Sequence, residues 1–232
     1  MSVAARAELE SLLRARKLDL TLTSATPWSD RSRDVSPTGL TPLDAALGGG
    51  LARGELSEIV GPRSSGRTTL VCRMLAAAAE RGDAVAVIDA SDRFDPASAS
   101  DAGVDLSKLL WVRDTGDASR ALKAMHLVLQ AGGFGLVAFD VADVHGRALR
   151  QFPYTTWMRI ARVIEGSQTT AVIVAAERLA RSPGGVTIAL DGERGVARGQ
   201  WSGATDRARF FRGITLHPRV VGGRERGDGE RR

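Results

Sequence analysis

The chain contains a single cysteine among 232 residues, which rules out an internal disulfide. Cys72 falls inside an expected helix, which favours a packing role over a nucleophile. Histidine is scarce and scattered at His126, His145 and His217, with no spacing of metal ligands. No apolar run is long enough to cross a bilayer. The N-terminus is charged and carries no apolar leader, so a cytoplasmic protein is expected. Lysine is nearly missing: Lys17, Lys108 and Lys123 are the only three, and arginine supplies the rest of the positive charge. The net charge of +5 suits a nucleic-acid partner. An arginine excess beside abundant alanine and glycine also fits genome base composition, so charge alone decides neither. Apolar content of 43% at this length fits one core with extensions.

What is present follows an alternating order. Residues 1–20 read as an amphipathic helix, with Leu9, Leu12 and Leu13 on one face and Arg6, Glu10, Arg14 and Lys17 around it. Residues 21–37 are rich in Ser, Thr, Asp and Pro and read as a linker. A core is expected over residues 38–218, and a disordered basic tail over 219–232. Within the core, a short helix enters through Thr41-Pro42 and stops at Gly48-Gly49-Gly50. Strands are expected at 55–60, 84–89, 109–112, 136–139 and 171–175. Helices are expected at 68–81, 117–130 and 154–165. Strands alternating with helices imply an α/β fold with a mostly parallel sheet covered on both faces. The last third, at 186–190, 196–201 and 210–217, reads as antiparallel strands.

One loop carries the chemistry. Gly61-Pro62-Arg63-Ser64-Ser65-Gly66-Arg67-Thr68-Thr69 lies between a strand and a helix. It has the frame of a phosphate-binding P-loop, G-x-x-x-x-G-K-[ST], with Arg67 in the lysine position. Such a loop aims backbone N–H groups into one concavity at a helix N-terminus. Thr68 would offer a hydroxyl to Mg²⁺, and Asp140, at the end of an apolar strand, would complete the metal shell. A guanidinium is larger and planar, so it is expected to bind phosphate loosely or turn toward an acid. Three readings stay open: an empty strand–helix turn, residual binding of ATP and Mg²⁺, and an active ATPase. No cofactor is required by the first.

These residues resemble the RecA family. Thr38-Gly39-Leu40, Leu43-Asp44-Ala45-Ala46-Leu47-Gly48, Gly54 and Glu58-Ile59-Val60-Gly61-Pro62 match the approach to its loop. Ile88-Asp89-Ala90, Asp95-Pro96, Gly103-Val104-Asp105-Leu106 and Asp114-Thr115-Gly116 follow in the same order. The resemblance implies a RecA-like core over about residues 38 to 180. It also implies a catalytic glutamate where this chain has Ser91, and a phosphate-sensing glutamine where it has Glu177. Asp92, next to Ser91, is short and displaced for that role. Altered at Arg67, Ser91 and Glu177, the chain looks like a degenerate ATPase and not a recombinase. A small degenerate chain of this kind resembles the ImuA family of translesion-synthesis accessory proteins. That resemblance implies a non-catalytic scaffold in damage-induced mutagenesis. Its implied partners are an ImuB-like Y-family polymerase homologue, RecA, an error-prone replicative-type polymerase and single-stranded DNA.

A candidate nucleic-acid surface comprises Arg147, Arg150, Arg159, Arg162, Arg178 and Arg181, which follow two strand ends. Phe152, Tyr154 and Trp157 lie among them and suit base stacking or a protein interface. The plainer alternative is a solvated helix face, with Trp157 in the core.

Overall fold

The computed structural model describes residues 34–180, 184–190, 198–202 and 210–222. The expected helix at 1–20, most of the expected linker, Arg181 and the tail beyond residue 222 lie outside these. The strands are short apolar runs because both of their faces are covered. Strand β1 (Val35–Ser36) pairs antiparallel with β2 (Leu51–Ala52), so the end of the expected linker is a strand. Helix α1 (Thr41–Leu47) starts at the expected proline and ends on Gly48 in the left-handed conformation. Strand β3 (Leu56–Val60) runs into the glycine-framed loop, and helix α2 (Arg67–Glu80) leaves it. Then come β4 (Ala84–Asp89), α3 (Pro96–Asp101), β5 (Leu109–Arg113) and α4 (Ala118–Ala131). They are followed by β6 (Phe134–Asp140), α5 (Gly146–Leu149), α6 (Tyr154–Ile164) and β7 (Thr170–Ala175). Helices α3 and α5 were not expected. Each is under two turns, too short to show a periodicity.

The chain ends with β8 (Gly184–Ala189), β9 (Arg198–Ser202), β10 (Phe210–Thr215) and β11 (Arg219–Gly222). The main sheet has seven strands in the order β11-β8-β3-β7-β6-β4-β5. Every neighbouring pair is parallel except β11 with β8. The antiparallel reading of the last third holds for β9 with β10 and for β11 with β8, but β8 also joins β3 in parallel. Residues 219–222 are thus an edge strand and not tail.

Alternation along each strand sends its side chains to two cores. Val85, Val87, Leu136, Ala138, Val172 and Val174 pack with Leu70, Met74 and Leu75 of α2 on one face. Ala86, Ile88, Val137, Phe139, Ala171 and Ile173 pack with Met125 and Leu129 of α4 and Trp157, Ile160 and Ile164 of α6 on the other. Trp157 is fully buried, edge-on to Phe152 at 6.0 Å between ring centroids. Cys72 is buried under α2, and burial pushes its thiol above the ordinary range, which fits packing. Among the described residues no helix is long and apolar enough to cross a membrane.

The passage from β7 to β8 sets the shape of one strand end. Both strands flank β3, so the connection must cross it. Glu58 of β3 is fully buried, and its Oε1 accepts the N–H of Leu179 at 2.8 Å and of Ala180 at 2.7 Å. A carboxylate in the core is costly unless hydrogen-bonded, and here backbone donors of the crossing chain supply the bonds. Gly185 makes the landing possible. A Cβ there would lie 2.2 Å from the Leu56 carbonyl oxygen.

Candidate functional site

The C-terminal ends of β3, β4, β6 and β7 form one edge of the parallel sheet, where α/β folds place their ligands. The loop from Gly61 to Thr69 stands there. Gly61 is required by close approach, since a Cβ would sit 2.7 Å from Ser65 Oγ and 3.1 Å from the Leu190 carbonyl oxygen. Ser64 and Gly66 both take left-handed φ values, +60° and +90°, which turn the backbone sharply into α2. Gly66 is the N-cap, which is why the helix begins at Arg67, one residue earlier than expected. No side chain caps this end and no acid lies in its first turn. Its orphan N–H groups and dipole therefore favour an anion.

Two side chains sharpen that preference. Ser65 is 3% exposed and Arg67 is 8% exposed. Ser65 Oγ and Arg67 Nη1 are two of only four buried side-chain polar atoms without a hydrogen-bond partner among the described residues. Buried polar groups are nearly always partnered, and these two atoms are closed off from solvent without a partner within the chain. The expected turn of Arg67 toward an acid is met only in part. It lies near Asp140 and Asp143, yet makes no hydrogen bond to either. Burial pulls its guanidinium below the ordinary value, against the attraction of Asp140 and Asp143.

Asp140 ends β6 and accepts the Ala142 N–H at 2.9 Å. Burial, with the nearby Asp89 and Asp143, pushes its carboxyl up to about 6 against that hydrogen bond and the pull of Arg67. Asp143 was not singled out in the sequence. It accepts from exposed Arg63 through Nη2 at 2.9 Å and Nε at 3.2 Å. Thr68 is exposed at the start of α2. Among the described residues no group of three His, Cys, Asp or Glu side chains is placed to hold a metal ion. A Mg²⁺ ion on Thr68 and Asp140 would take its remaining ligands from phosphate and water.

The neighbouring strand end is arranged differently. Asp89, 1% exposed at the end of β4, accepts the N–H of Ser91 at 3.2 Å and of Phe94 at 2.7 Å. Asp92 is gripped by Arg113 through two bonds of 2.8 and 2.9 Å. That guanidinium also stacks on Trp111 at 4.6 Å. With Ser91 between them, no carboxylate at this turn is left without a partner to serve as a base. The signal for the Asp92 clasp was an arginine ending the next strand, which has no local sequence signature.

The candidate arginines are spread. Arg147 and Arg150 are exposed at α5, and Arg162 is exposed on α6. Arg159 lines a groove of about 430 Å³ between α4 and α6, with Leu122, Lys123, His126, Leu127 and Thr156. Arg178 instead lines a pocket of about 490 Å³ beside Gly61 and Pro62, together with Glu177 and Arg219. Its Nη2 donates to the Val221 carbonyl oxygen at 2.9 Å. Arg159 and Arg178 thus line two different depressions.

The RecA N-terminal domain family matches residues 24–148. Protein RecA of Streptomyces ambofaciens is 34% identical over 164 residues, covering 62% of this chain and 44% of that protein. Protein RecA of Methylococcus capsulatus is 44% identical over 112 residues, covering 47% of this chain and 32% of that protein. A crystal structure of the RadB recombinase overlaps 68% of this chain and 73% of its own, at 19% identity and a TM-score of 0.49. The chain thus spans less than half the length of these curated relatives.

Proposed function

Because the chain belongs to the RecA family through its N-terminal domain, we propose that it acts in DNA repair as a non-catalytic RecA-like scaffold. It would support damage-induced, error-prone translesion synthesis through protein contacts, with weak affinity for single-stranded DNA. The partners that fit the ImuA resemblance are an ImuB-like Y-family polymerase homologue, RecA and an error-prone replicative-type polymerase.

The observation that carries this reading is the β4 strand end. Ser91 stands where the resemblance implies a water-activating glutamate. The acids beside it are occupied, Asp89 by two backbone N–H groups and Asp92 by Arg113. Activating water needs a base free to take a proton within reach, and none is at hand there. ATP turnover by the purified protein, with and without single-stranded DNA, beside Asp140→Ala, tests the reading. No turnover above the variant, with nucleotide-independent binding to the polymerase partner, is the expected result. DNA-stimulated turnover lost in Asp140→Ala would overturn it.

The second reading is a DNA-stimulated ATPase that switches assembly on damaged DNA. It is favoured by the orphaned atoms of Ser65 and Arg67, which fit a phosphate. ATP would supply phosphate oxygens to the loop and, with Mg²⁺, to Thr68 and Asp140. The same turnover experiment separates the two.

A further inference from the structure

Helices α4 and α6 pack side by side on the sheet face opposite α2, and a groove of about 430 Å³ runs between them. Its α4 wall is Leu122, Lys123, His126 and Leu127, positions three and four apart that share one helix face. Its α6 wall is Thr156, Arg159 and Ile160, by the same spacing. Ile160 is nearly buried, whereas Leu127 is 65% exposed. A lone exposed leucine is ordinary, but this one borders a concave aliphatic floor and is not scattered. The charge around that floor has one sign. Neither helix contains an aspartate or a glutamate, while Lys123, His126 and Arg159 stand at the groove. None of these three is in an ion pair among the described residues. Arg120 of α4, by contrast, is engaged by Asp114, and Asp117 caps α4 through the N–H groups of Ser119 and Arg120.

We infer that the α4–α6 groove docks an acidic segment of a partner protein. Two or more large apolar side chains of that segment lie on Leu122, Leu127 and Ile160. Its carboxylates face Lys123 and Arg159, with His126 as a further donor. Both halves of the groove then find a match. Apolar anchors on one face of a segment fill a groove between two helix ridges. Carboxylates accept charge-assisted hydrogen bonds from cations that have no acid within the chain. A nucleic-acid strand meets the cations but leaves the aliphatic floor wet. The groove also gives it no aromatic to stack on, since Trp157 is buried against Phe152 and Tyr154 lies outside the lining. A second copy of this chain fits less well. Its amphipathic stretch at residues 1–20 carries Arg6, Arg14, Arg16 and Lys17 against Glu8, Glu10 and Asp19, so it would bring like charge to the groove. The groove gives the scaffold reading a surface, and the role of the docked protein rests on that reading.

The test is selection of a phage-displayed random peptide library on the full chain, with Leu127→Asp as the counter-target. Peptides of about 16 residues are long enough for the i, i+3, i+4, i+7 anchors of a groove-bound helix. Enriched peptides should carry at least two of Leu, Ile, Phe or Met, and more Asp and Glu than Lys and Arg. Fluorescence anisotropy of the most enriched peptide should show binding weakened at least about tenfold by Leu127→Asp and at least about fivefold by Arg159→Glu. Replacing the acids of the peptide with lysine should weaken it at least about tenfold. Both substituted positions are exposed, so circular dichroism should show unchanged folds. No enriched peptide, enriched peptides without an acidic excess, or an affinity that neither substitution alters would each overturn the inference. A labelled oligo-dT that binds more tightly than any enriched peptide, and is lost in both variants, would overturn it in favour of a nucleic-acid site. Peptide capture needs neither nucleotide nor polymerase, so its failure leaves the scaffold reading to the turnover experiment.

Discussion

Asp114 and Asp140 stand at the same edge of one sheet, after the two strands that flank β4, yet their carboxyls differ greatly. Asp114 is held down at about 2, chiefly by the Arg120 side chain, which donates through Nε at 2.5 Å and Nη2 at 3.0 Å. Asp117 adds its N–H at 2.9 Å. Asp140 is pushed up to about 6 by burial, with one backbone N–H and an arginine that approaches without bonding. One strand end is closed by internal partners, and the other keeps a buried carboxyl with a single hydrogen-bond donor. Asp89 lies between them and shows how the difference arises, since its carboxylate closes the 91–94 turn. The turn after β4 and the end of β5 are closed by hydrogen bonds within the chain, whereas the end of β6 keeps a buried carboxyl beside an arginine that does not bond to it.

The largest effect should come from removing the wall between the two ends. Asp89→Ala leaves two part-buried N–H groups without acceptors and opens a cavity, for a loss of about 2–4 kcal/mol. Urea unfolding measures it. The same change removes a negative neighbour of Asp140, so the Asp140 carboxyl should titrate closer to the ordinary value of about 3.9. An unmoved Asp140 midpoint would show that burial alone sets it.

The next effect has the opposite sign. The Asp140 carboxyl binds its proton more tightly folded than unfolded, so stability falls as pH rises from about 4 to about 6 and stays lower above that. Asp140→Asn keeps the oxygen that accepts the Ala142 N–H and removes the buried charge. It should raise stability at pH 7.5 by on the order of 1–2 kcal/mol, with the gain vanishing below about pH 4. Thermal melts across that range decide it. A destabilised Asn variant at pH 7.5 would mean that the Asp140 charge is matched by Arg67 after all.

Much of this contrast was hidden in the sequence for physical reasons. The parallel core was legible because apolar runs such as Ala84–Asp89 and Thr170–Ala175 are continuous, and the loop was legible because its glycines are local. The parallel pairing of β8 with β3 was not legible, because it rests on a crossing chain held by buried Glu58, which no window of sequence displays. Residues 219–222 read as the start of a tail because Val220 and Val221 are few beside the glycine and charge that follow. The open state of Arg67 depends on Asp140 and Asp143, far along the chain. The closed state of Asp92 likewise depends on a distant residue, Arg113, 21 positions away.

The smallest effect concerns the closed end alone. Arg120→Met keeps the aliphatic stem of an exposed side chain and removes the two charged hydrogen bonds to Asp114. The Asp114 carboxyl should then titrate well above about 2, because burial, which raises it, is then opposed only by the backbone N–H bonds of Asp117 and Thr115. Asp114 contributes stability that is complete above about pH 4 and is lost as pH falls through about 2. The parent and the variant should therefore melt apart slightly at neutral pH and converge near pH 2. Carboxyl-detected NMR titration reads the midpoint directly, with Asp140 as the internal reference at about 6. If Asp114 stays near 2 in the variant, backbone donors hold that end closed, and arginine is not what separates the two ends of the sheet.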